Sequence, residues 1–501
     1  MVIAAVSTSR SENTAKRQAH MRGFAAASTN DSTRISPMKN IILLVSDTYR
    51  YDNLFDRADM PVHTPSLDAF AECAVSVEQF YAASFPTIPQ RTDLITGRCG
   101  WPWYDWQPLS QSGRNRMPAL LRQNGYVSQL LCDCPHLFKA GFDREFDAAH
   151  ALRGQEGDVH FLRMNHPIVS AMPPEKTRTP RSHFDDRNLV DLHRWTNACW
   201  AHEEDRFAPR TATLAMQWLE ENWQYNPFLL WVDFFDPHEP WDPPEYMVNR
   251  YDPGYSGAPM LHPNYGRADV YSDAELRNLR AHYCAEAELV DRWVGRVLQK
   301  IDDLELWDNS IVVFTTDHGI SLGEHNRTGK SNANEGDDRY WPLYPEIARI
   351  PFIIAAPGLQ GGRSLNIMAQ PQDILPTLLE LAGANADPPD PFHGISLAPQ
   401  LTGADDESPR DIIVAGRFCA PETADGAMPP ESVTPVLYTP EWAYAPVGAQ
   451  GTPELYDLRS DAEAQHNIAP DNPARVAEMR DLFGTWLEQM DAPAPLHDVF
   501  A

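Results

Sequence analysis

The stretch Ile41-Ile42-Leu43-Leu44-Val45-Ser46-Asp47-Thr48-Tyr49-Arg50 begins as an unbroken apolar run and ends in polar and charged residues. A half-exposed strand alternates apolar with polar, so a run without alternation predicts a strand covered on both faces, as in a parallel sheet. Two further runs read the same way. Pro227-Phe228-Leu229-Leu230-Trp231-Val232 leads into Asp233-Phe234-Phe235-Asp236-Pro237-His238-Glu239-Pro240, and Ile311-Val312-Val313-Phe314 leads into Thr315-Thr316-Asp317-His318-Gly319. A fourth, Ile350-Pro351-Phe352-Ile353-Ile354-Ala355-Ala356, stops at Pro357-Gly358 and reads as a buried strand with its turn. Apolar residues at three- and four-residue spacing predict helices over 117–123, 212–223, 283–301 and 372–382. Strand and helix in alternation predict an α/β fold, a doubly wound, mostly parallel sheet flanked by helices, with a smaller C-terminal α+β subdomain. The expected divisions are a disordered leader over 1–38, a catalytic domain over 39–400 and a C-terminal subdomain over 401–501. In such sheets ligands sit beyond the carboxyl ends of the strands. Three separate runs bring Asp or His to that edge.

A second stretch carries chemistry: Ser84-Phe85-Pro86-Thr87-Ile88-Pro89-Gln90-Arg91-Thr92-Asp93-Leu94-Ile95-Thr96-Gly97-Arg98. Thr87 stands where a helix can begin, with Pro89 in the first turn, where a missing N–H costs little. A helix N-terminus stabilises negative charge, which lets the Thr87 hydroxyl face a tetrahedral anion. Arg91, four residues on, shares its face and is suited to hold the oxygens of that anion or of neighbouring carboxylates. The plainer alternative makes Thr87 an ordinary cap and Arg91 a surface cation.

The formal net charge of −29 disfavours nucleic acid as a partner, because phosphate binding needs a basic face. An anionic substrate therefore requires a local cationic site, for which Arg91 and Lys330 are the candidates. The seven cysteines are scattered and include no CxxC pair, which predicts neither a disulfide framework nor a thiolate zinc site and points to a reduced, cytoplasmic protein. No apolar run approaches the roughly 20 residues of a membrane span, so no membrane association is expected. Residues 1–38 lack periodicity and a secretory core, and Met38 beside Met1 and Met21 offers an alternative start.

In its order of motifs the chain resembles the sulfatase family of the alkaline phosphatase superfamily, over roughly residues 40–470. The family signature is Cys or Ser, any residue, Pro, any residue, Arg, then Leu-Thr-Gly-Arg; Pro89, Arg91 and Thr96-Gly97-Arg98 match it. Thr87 occupies the place of the residue that sulfatases oxidise to formylglycine. Asp47, Asp317-His318-Gly319, Lys330 and the His238 of a Pro-His-x-Pro pattern match the family's site positions. Asp373 to Gly383 and Glu454-Leu455-Tyr456-Asp457-Leu458 resemble its downstream helix and C-terminal strand. There are departures. Thr48 replaces a second Asp, His318 stands where Asn is frequent, and in Cys132-Asp133-Cys134-Pro135-His136 the thiol of Cys134 takes the place of a lysine two residues before a site histidine.

The resemblance implies one divalent metal ion held by Asp47, Thr87, Asp317 and His318. Hard oxygens with one imidazole suit Mn²⁺ or Zn²⁺, with Ca²⁺ also accommodated. It further implies a sulfate, phosphate or phosphonate ester as a small anionic substrate. Thr87 is then the nucleophile, His238 or His136 the proton donor to the leaving oxygen, and Lys330 and Arg91 the charge stabilisers. Threonine forms no aldehyde, so water must attack sulfur or phosphorus to clear its ester, and a phosphodiesterase-like activity stays open. Alternatives are a phosphoryl or sulfuryl transferase and a catalytically silent binding protein. The polar segment Arg153-Gly154-Gln155-Glu156-Gly157-Asp158 and the Trp-rich segment Trp101-Pro102-Trp103-Tyr104-Asp105-Trp106 are candidates for the pocket wall, with core packing the default for the tryptophans. A homo-oligomer is compatible with all of this.

Overall fold

The computed structural model describes residues 38–104, 106–158, 161, 163–169, 172–177, 188–330, 341–417 and 434–500. Of the expected leader, residues 1–37 lie outside this set. The strands are β1 (Asn40–Ser46), β2 (Val75–Phe80), β3 (Ser84–Phe85), β4 (Val127–Cys132), β5 (Ala148–Ala151), β6 (Phe228–Phe234), β7 (Gly266–Arg267), β8 (Ser310–Thr316), β9 (Ser321–Leu322), β10 (Arg327–Gly329), β11 (Phe352–Ala355), β12 (Arg363–Ala369), β13 (Ile413–Arg417), β14 (Val436–Tyr438), β15 (Trp442–Ala445) and β16 (Glu454–Asp457). The main sheet has eight strands in the order β12-β2-β11-β8-β1-β6-β4-β5. The three runs read from sequence are therefore its central neighbours, and they are parallel to one another. The fourth run, β11, is antiparallel to both β8 and β2.

Every residue of β1, β6 and β8 is buried, because each face of the sheet has its own cover. Ile41, Leu43, Val45, Leu229, Trp231, Ile311 and Val313 pack on one side with Leu94, Ile95 and Leu375. Those contacts come from the helices Thr87–Thr96 and Ile374–Ala382. Ile42, Leu44, Leu230, Val232, Val312 and Phe314 pack on the other with Ala212, Leu219, Val290 and Val294, from the helices Phe207–Asn222 and Asp273–Asp303. Period-two alternation is thus present, hidden because both phases are apolar.

Register places the chemistry. Ser46 pairs with Thr316 on one side and with Phe234 on the other, so Asp47, Asp317 and Phe235 leave three adjacent strands at one level. A small antiparallel sheet, β7-β10-β9, lies nearby and β10 runs directly into Lys330. Gly329 has φ +103°, and a Cβ there would stand 2.9 Å from the Tyr265 Cα, so a glycine is required where β10 crosses that residue.

The C-terminal residues form a sheet in the order β16-β15-β14-β13, whose pairings are antiparallel. Its inner edge is closed by β3, parallel to β13, with Gly416 opposite Ser84 and Arg417 opposite Phe85. Val414, Leu437, Tyr444 and Leu455 of this sheet bury against Phe483, Trp486 and Leu487 of the helix Pro473–Gln489. The cysteines among the described residues are free thiols, and no described helix is long and apolar enough to cross a membrane.

The long helix Asp273–Asp303 buries His282, whose Nδ1 has no hydrogen-bond partner. Burial pushes this imidazole down to about 4, against the partial pull of Asp242. A histidine held neutral in the fold contributes stability that is complete above its unfolded value near 6.5 and is lost as pH falls toward the folded value. In chemical denaturation across pH, the stability of the wild type relative to His282→Gln should therefore fall between about 6.5 and about 4. Parallel profiles for the two proteins would refute this.

Candidate active site

Thr87 is the first residue of the helix Thr87–Thr96 and is 3% exposed; the capping position belongs to Pro86, whose side chain makes no cap hydrogen bond. The helix runs back along the sheet, and its next turn carries Arg91 into the interior with no exposed surface. The Arg91 guanidinium is bound bidentately by Asp233, with Nε to Oδ2 at 2.9 Å and Nη2 to Oδ1 at 2.8 Å. Its Nη1 donates to Asp317 Oδ2 at 2.6 Å and lies 3.2 Å from Asp47 Oδ2. Of the two partners expected for Arg91, the structure supplies carboxylates. Asp233 was visible at the end of its strand but had no role from sequence alone; Trp231 Nε1 also donates to its Oδ2, at 3.0 Å.

Asp47, Asp317 and His318 form one buried group with ligand atoms within 4.8 Å of one another. Thr48, held at φ +61°, aligns the two carboxylates: its N–H donates to Asp317 Oδ1 at 2.9 Å and its hydroxyl to Asp47 Oδ1 at 2.6 Å. Burial and the neighbouring Asp317 push Asp47 well above the usual carboxylate range. Burial acts on Asp317 in the same sense, but the adjacent His318 ring, the Arg91 guanidinium and hydrogen bonds, among them that from the Thr48 N–H, outweigh it and hold Asp317 below that range. Burial pushes His318 down to about 4. Its Nδ1 pairs with the Gly319 carbonyl at 2.9 Å, which as an N–H donor leaves Nε2 with a lone pair. His318 Nε2 and Asp47 Oδ2 are both buried without a hydrogen-bond partner. Asp47 Oδ2, which meets Arg91 as an ion pair without a hydrogen bond, the bare Nε2 of a neutral imidazole and the Asp317 carboxylate make a donor set suited to a divalent ion.

His238 follows β6 in the same edge. Its ring stacks on Phe235 with centroids 4.0 Å apart, and its Nδ1 pairs with the Glu239 carbonyl at 2.6 Å. Burial and then the Lys330 charge push it well below the usual histidine range. Glu156 Oε2 and Glu239 Oε2 lie 3.6 and 3.8 Å from that nitrogen. Although this trio also clusters acids with an imidazole, Nδ1 serves as a donor to a carbonyl and is not available as a ligand. The cation beside it is Lys330, 3.6 Å from Glu239 Oε1 and 3.9 Å from Asp47 Oδ1.

His136 stands one ring further out, edge-on to Phe235 at 5.8 Å and to Trp106 at 5.2 Å. Asp133 does not orient it: its oxygens accept from the Phe235 N–H at 2.6 Å and the Thr211 hydroxyl at 3.1 Å, a structural turn. The segment 153–158 reaches the site, since Gln155 Nε2 donates to Asp236 Oδ1 at 2.7 Å while Glu156 meets His238. The tryptophans divide. Trp101 is buried against Trp486, centroids 5.5 Å apart, whereas Trp106 is 42% exposed beside His136.

The chain has relatives among known proteins. Residues 39–384 match the family model described as Sulfatase. An arylsulfatase of Clostridium perfringens is 25% identical over 390 residues, covering 72% of this chain and 77% of that protein. Arylsulfatase K of Xenopus laevis is 28% identical over 484 residues, covering 92% and 85%. Among solved structures, the phosphonate monoester hydrolase of Agrobacterium radiobacter shares the fold, with a TM-score of 0.69, 23% identity and coverage of 90% of this chain and 96% of that one.

Proposed function

Because the chain belongs to the sulfatase family and brings Asp47, Asp317 and His318 together beside the Thr87 helix, we propose that it hydrolyses a singly charged sulfate or phosphonate ester, or phosphate diester, through a covalent ester on Thr87. It is a hydrolase of sulfuric or phosphoric esters. The observation that carries the finer reading is the buried cluster of Asp47, Asp317 and His318, in which Asp47 Oδ2 and His318 Nε2 lack hydrogen bonds, tied through Arg91 to the helix that begins at Thr87.

Asp47, Asp317, His318 and the Thr87 hydroxyl would hold the divalent ion. Bound there, such an ion supplies Lewis-acid polarisation of the ester oxygens and lowers the pKa of a nearby hydroxyl. Thr87 Oγ attacks sulfur or phosphorus, the bond to the leaving oxygen breaks, and the Thr87 proton ends on the leaving alcohol. Lys330 balances charge on the transferring group. With Nδ1–H committed to the Glu239 carbonyl, His238 presents Nε2 as its working nitrogen. As a neutral imidazole it takes a proton from the water that attacks sulfur or phosphorus in the second half of the reaction, and Thr87 recovers its hydroxyl.

Charge decides between substrate classes. Among the described residues, Asp47, Asp233, Asp317 and Glu239 face two buried cations, Lys330 and Arg91, and Arg91 is wholly occupied by three of these carboxylates. A divalent ion brings the group to neutrality, so a doubly charged ester adds one more uncompensated buried charge than a singly charged one. The test is initial rates on matched nitrophenyl esters with the metal-reconstituted protein. The sulfate monoester, phosphonate monoester or phosphate diester should exceed the phosphate monoester by about tenfold or more in kcat/KM, one buried charge being worth at least that, and chelation should abolish turnover. Dominance of the phosphate monoester, or turnover indifferent to chelation, would overturn it.

A further inference from the structure

Glu239 has no exposed surface and touches both sides of the site. Its carbonyl accepts from His238 Nδ1 at 2.6 Å, and its Oε1 lies 3.6 Å from Lys330 Nζ. The Tyr265 hydroxyl donates to the same Oε1. Oε2 is buried with no hydrogen-bond partner, 3.8 Å from His238 Nδ1. A buried carboxylate is costly to leave with an open oxygen. The position is also one that the Pro-His-x-Pro pattern leaves free, so building that turn does not call for an acid.

The position of the charge suggests its use. Lys330 lies between Asp47 and Glu239, and only the first of these belongs to the group suited to a metal ion. Once an ion takes up the charge of Asp47, Glu239 is, among the described residues, the carboxylate left opposite the Lys330 ammonium. In a buried site a negative charge at this range acts at close to full strength on whatever anion Lys330 contacts.

We propose that Glu239 is a specificity-determining residue: its carboxylate offsets Lys330 so that the site admits a singly charged transferring group and excludes a doubly charged one. This deepens the hydrolase reading above and rests on it for the position of the ester. Glu239→Gln removes the charge at constant size and keeps an oxygen for the Tyr265 hydroxyl. Its ratio of kcat/KM for nitrophenyl phosphate over nitrophenyl sulfate should rise by about tenfold or more relative to wild type. A merely structural residue would lower both rates alike and leave the ratio unchanged, which overturns the proposal.

A binding arm makes the test independent of turnover. With the metal-loaded protein, calorimetry compares phenylphosphonate, at a pH where it is doubly charged, with benzenesulfonate, which is singly charged. The Kd ratio should shift toward phenylphosphonate in Glu239→Gln by a similar factor. Tyr265→Phe withdraws the hydroxyl from Oε1 and so leaves the buried negative charge less compensated; its ratio should move the opposite way, and if Glu239→Gln does not fold, an unmoved Tyr265→Phe ratio overturns the proposal. A shifted Kd ratio in a protein that turns over no ester would sink the hydrolase reading and sustain the role of Glu239.

Discussion

Arg91→Met is expected to destabilise the protein by about 3–5 kcal/mol, the typical cost of removing one partner from a buried ion pair. Its guanidinium is fully buried and satisfies three carboxylates from three chain segments, Asp47, Asp233 and Asp317. Methionine fills a similar volume but takes away the cation that Asp233 and Asp317 face and leaves Asp47 with the more distant Lys330. Excess Mn²⁺ should restore only part of the loss, because an ion bound by Asp47 and Asp317 does nothing for Asp233. Arg91→Lys should also fall short, since a single ammonium cannot reproduce the planar fork held by Asp233. Adding Asp233→Asn to Arg91→Met should recover part of the stability, and the double-mutant cycle measures the coupling. Denaturant unfolding that shows less than about 1 kcal/mol lost in Arg91→Met, the upper end for a solvent-exposed pair, would mean that these contacts are not formed in solution.

The second large effect is on activity. Thr87→Ala should lower turnover of the best ester by roughly 10⁴- to 10⁶-fold, the range for loss of an enzymatic nucleophile, while leaving the thermal midpoint close to that of the wild type. Thr87→Ser keeps a hydroxyl at the start of the helix and should retain most of the catalysis. Intact-mass measurement during turnover offers an independent readout: the wild type and Thr87→Ser should show the added sulfuryl or phosphoryl mass, and Thr87→Ala should not. Retention of more than about one part in a hundred of the activity in Thr87→Ala would assign the chemistry to another group, because residual catalysis without a nucleophile is far smaller.

Much of this arrangement was readable before the fold was known, for a physical reason. Buried parallel strands need unbroken apolar runs, and ligands of such sheets sit where the runs end, so β1, β6 and β8 announced themselves and put Asp47, Asp317, His318 and His238 forward as candidates. The long helix was read over 283–301 yet begins at Asp273. Its start was signalled by Ser272-Asp273-Ala274-Glu275, where Ser272 and Glu275 form a capping box with the Ser272 N–H donating to Glu275 Oε2 at 2.9 Å. Other features depend on contacts that spacing does not encode. Whether Arg91 faced a substrate or carboxylates was decided by Asp233, 142 positions away. Glu239 and Tyr265, which meet across 26 positions, carried no pattern at all. The direction of β11 was equally hidden, since an apolar run looks the same read either way.

The two-residue strand β3 has a consequence for how this catalyst is assembled. The groups suited to a metal ion hang from the large sheet, whereas the segment entering Thr87 is stitched to β13, beside Gly416 and Arg417 of the smaller one. Thr87 is therefore tied to both sheets: its helix packs on the large one while the segment that enters it pairs with the smaller, so the alignment of proposed nucleophile and proposed cofactor depends on that seam as well as on the packing. A Cβ on Gly416 would press to within 2.5 Å of the Trp101 indole, so even that seam is machined to a backbone's thickness. The C-terminal sheet is in this sense a fixture that sets the tool, and wear in the fixture would show as a fault in the cut.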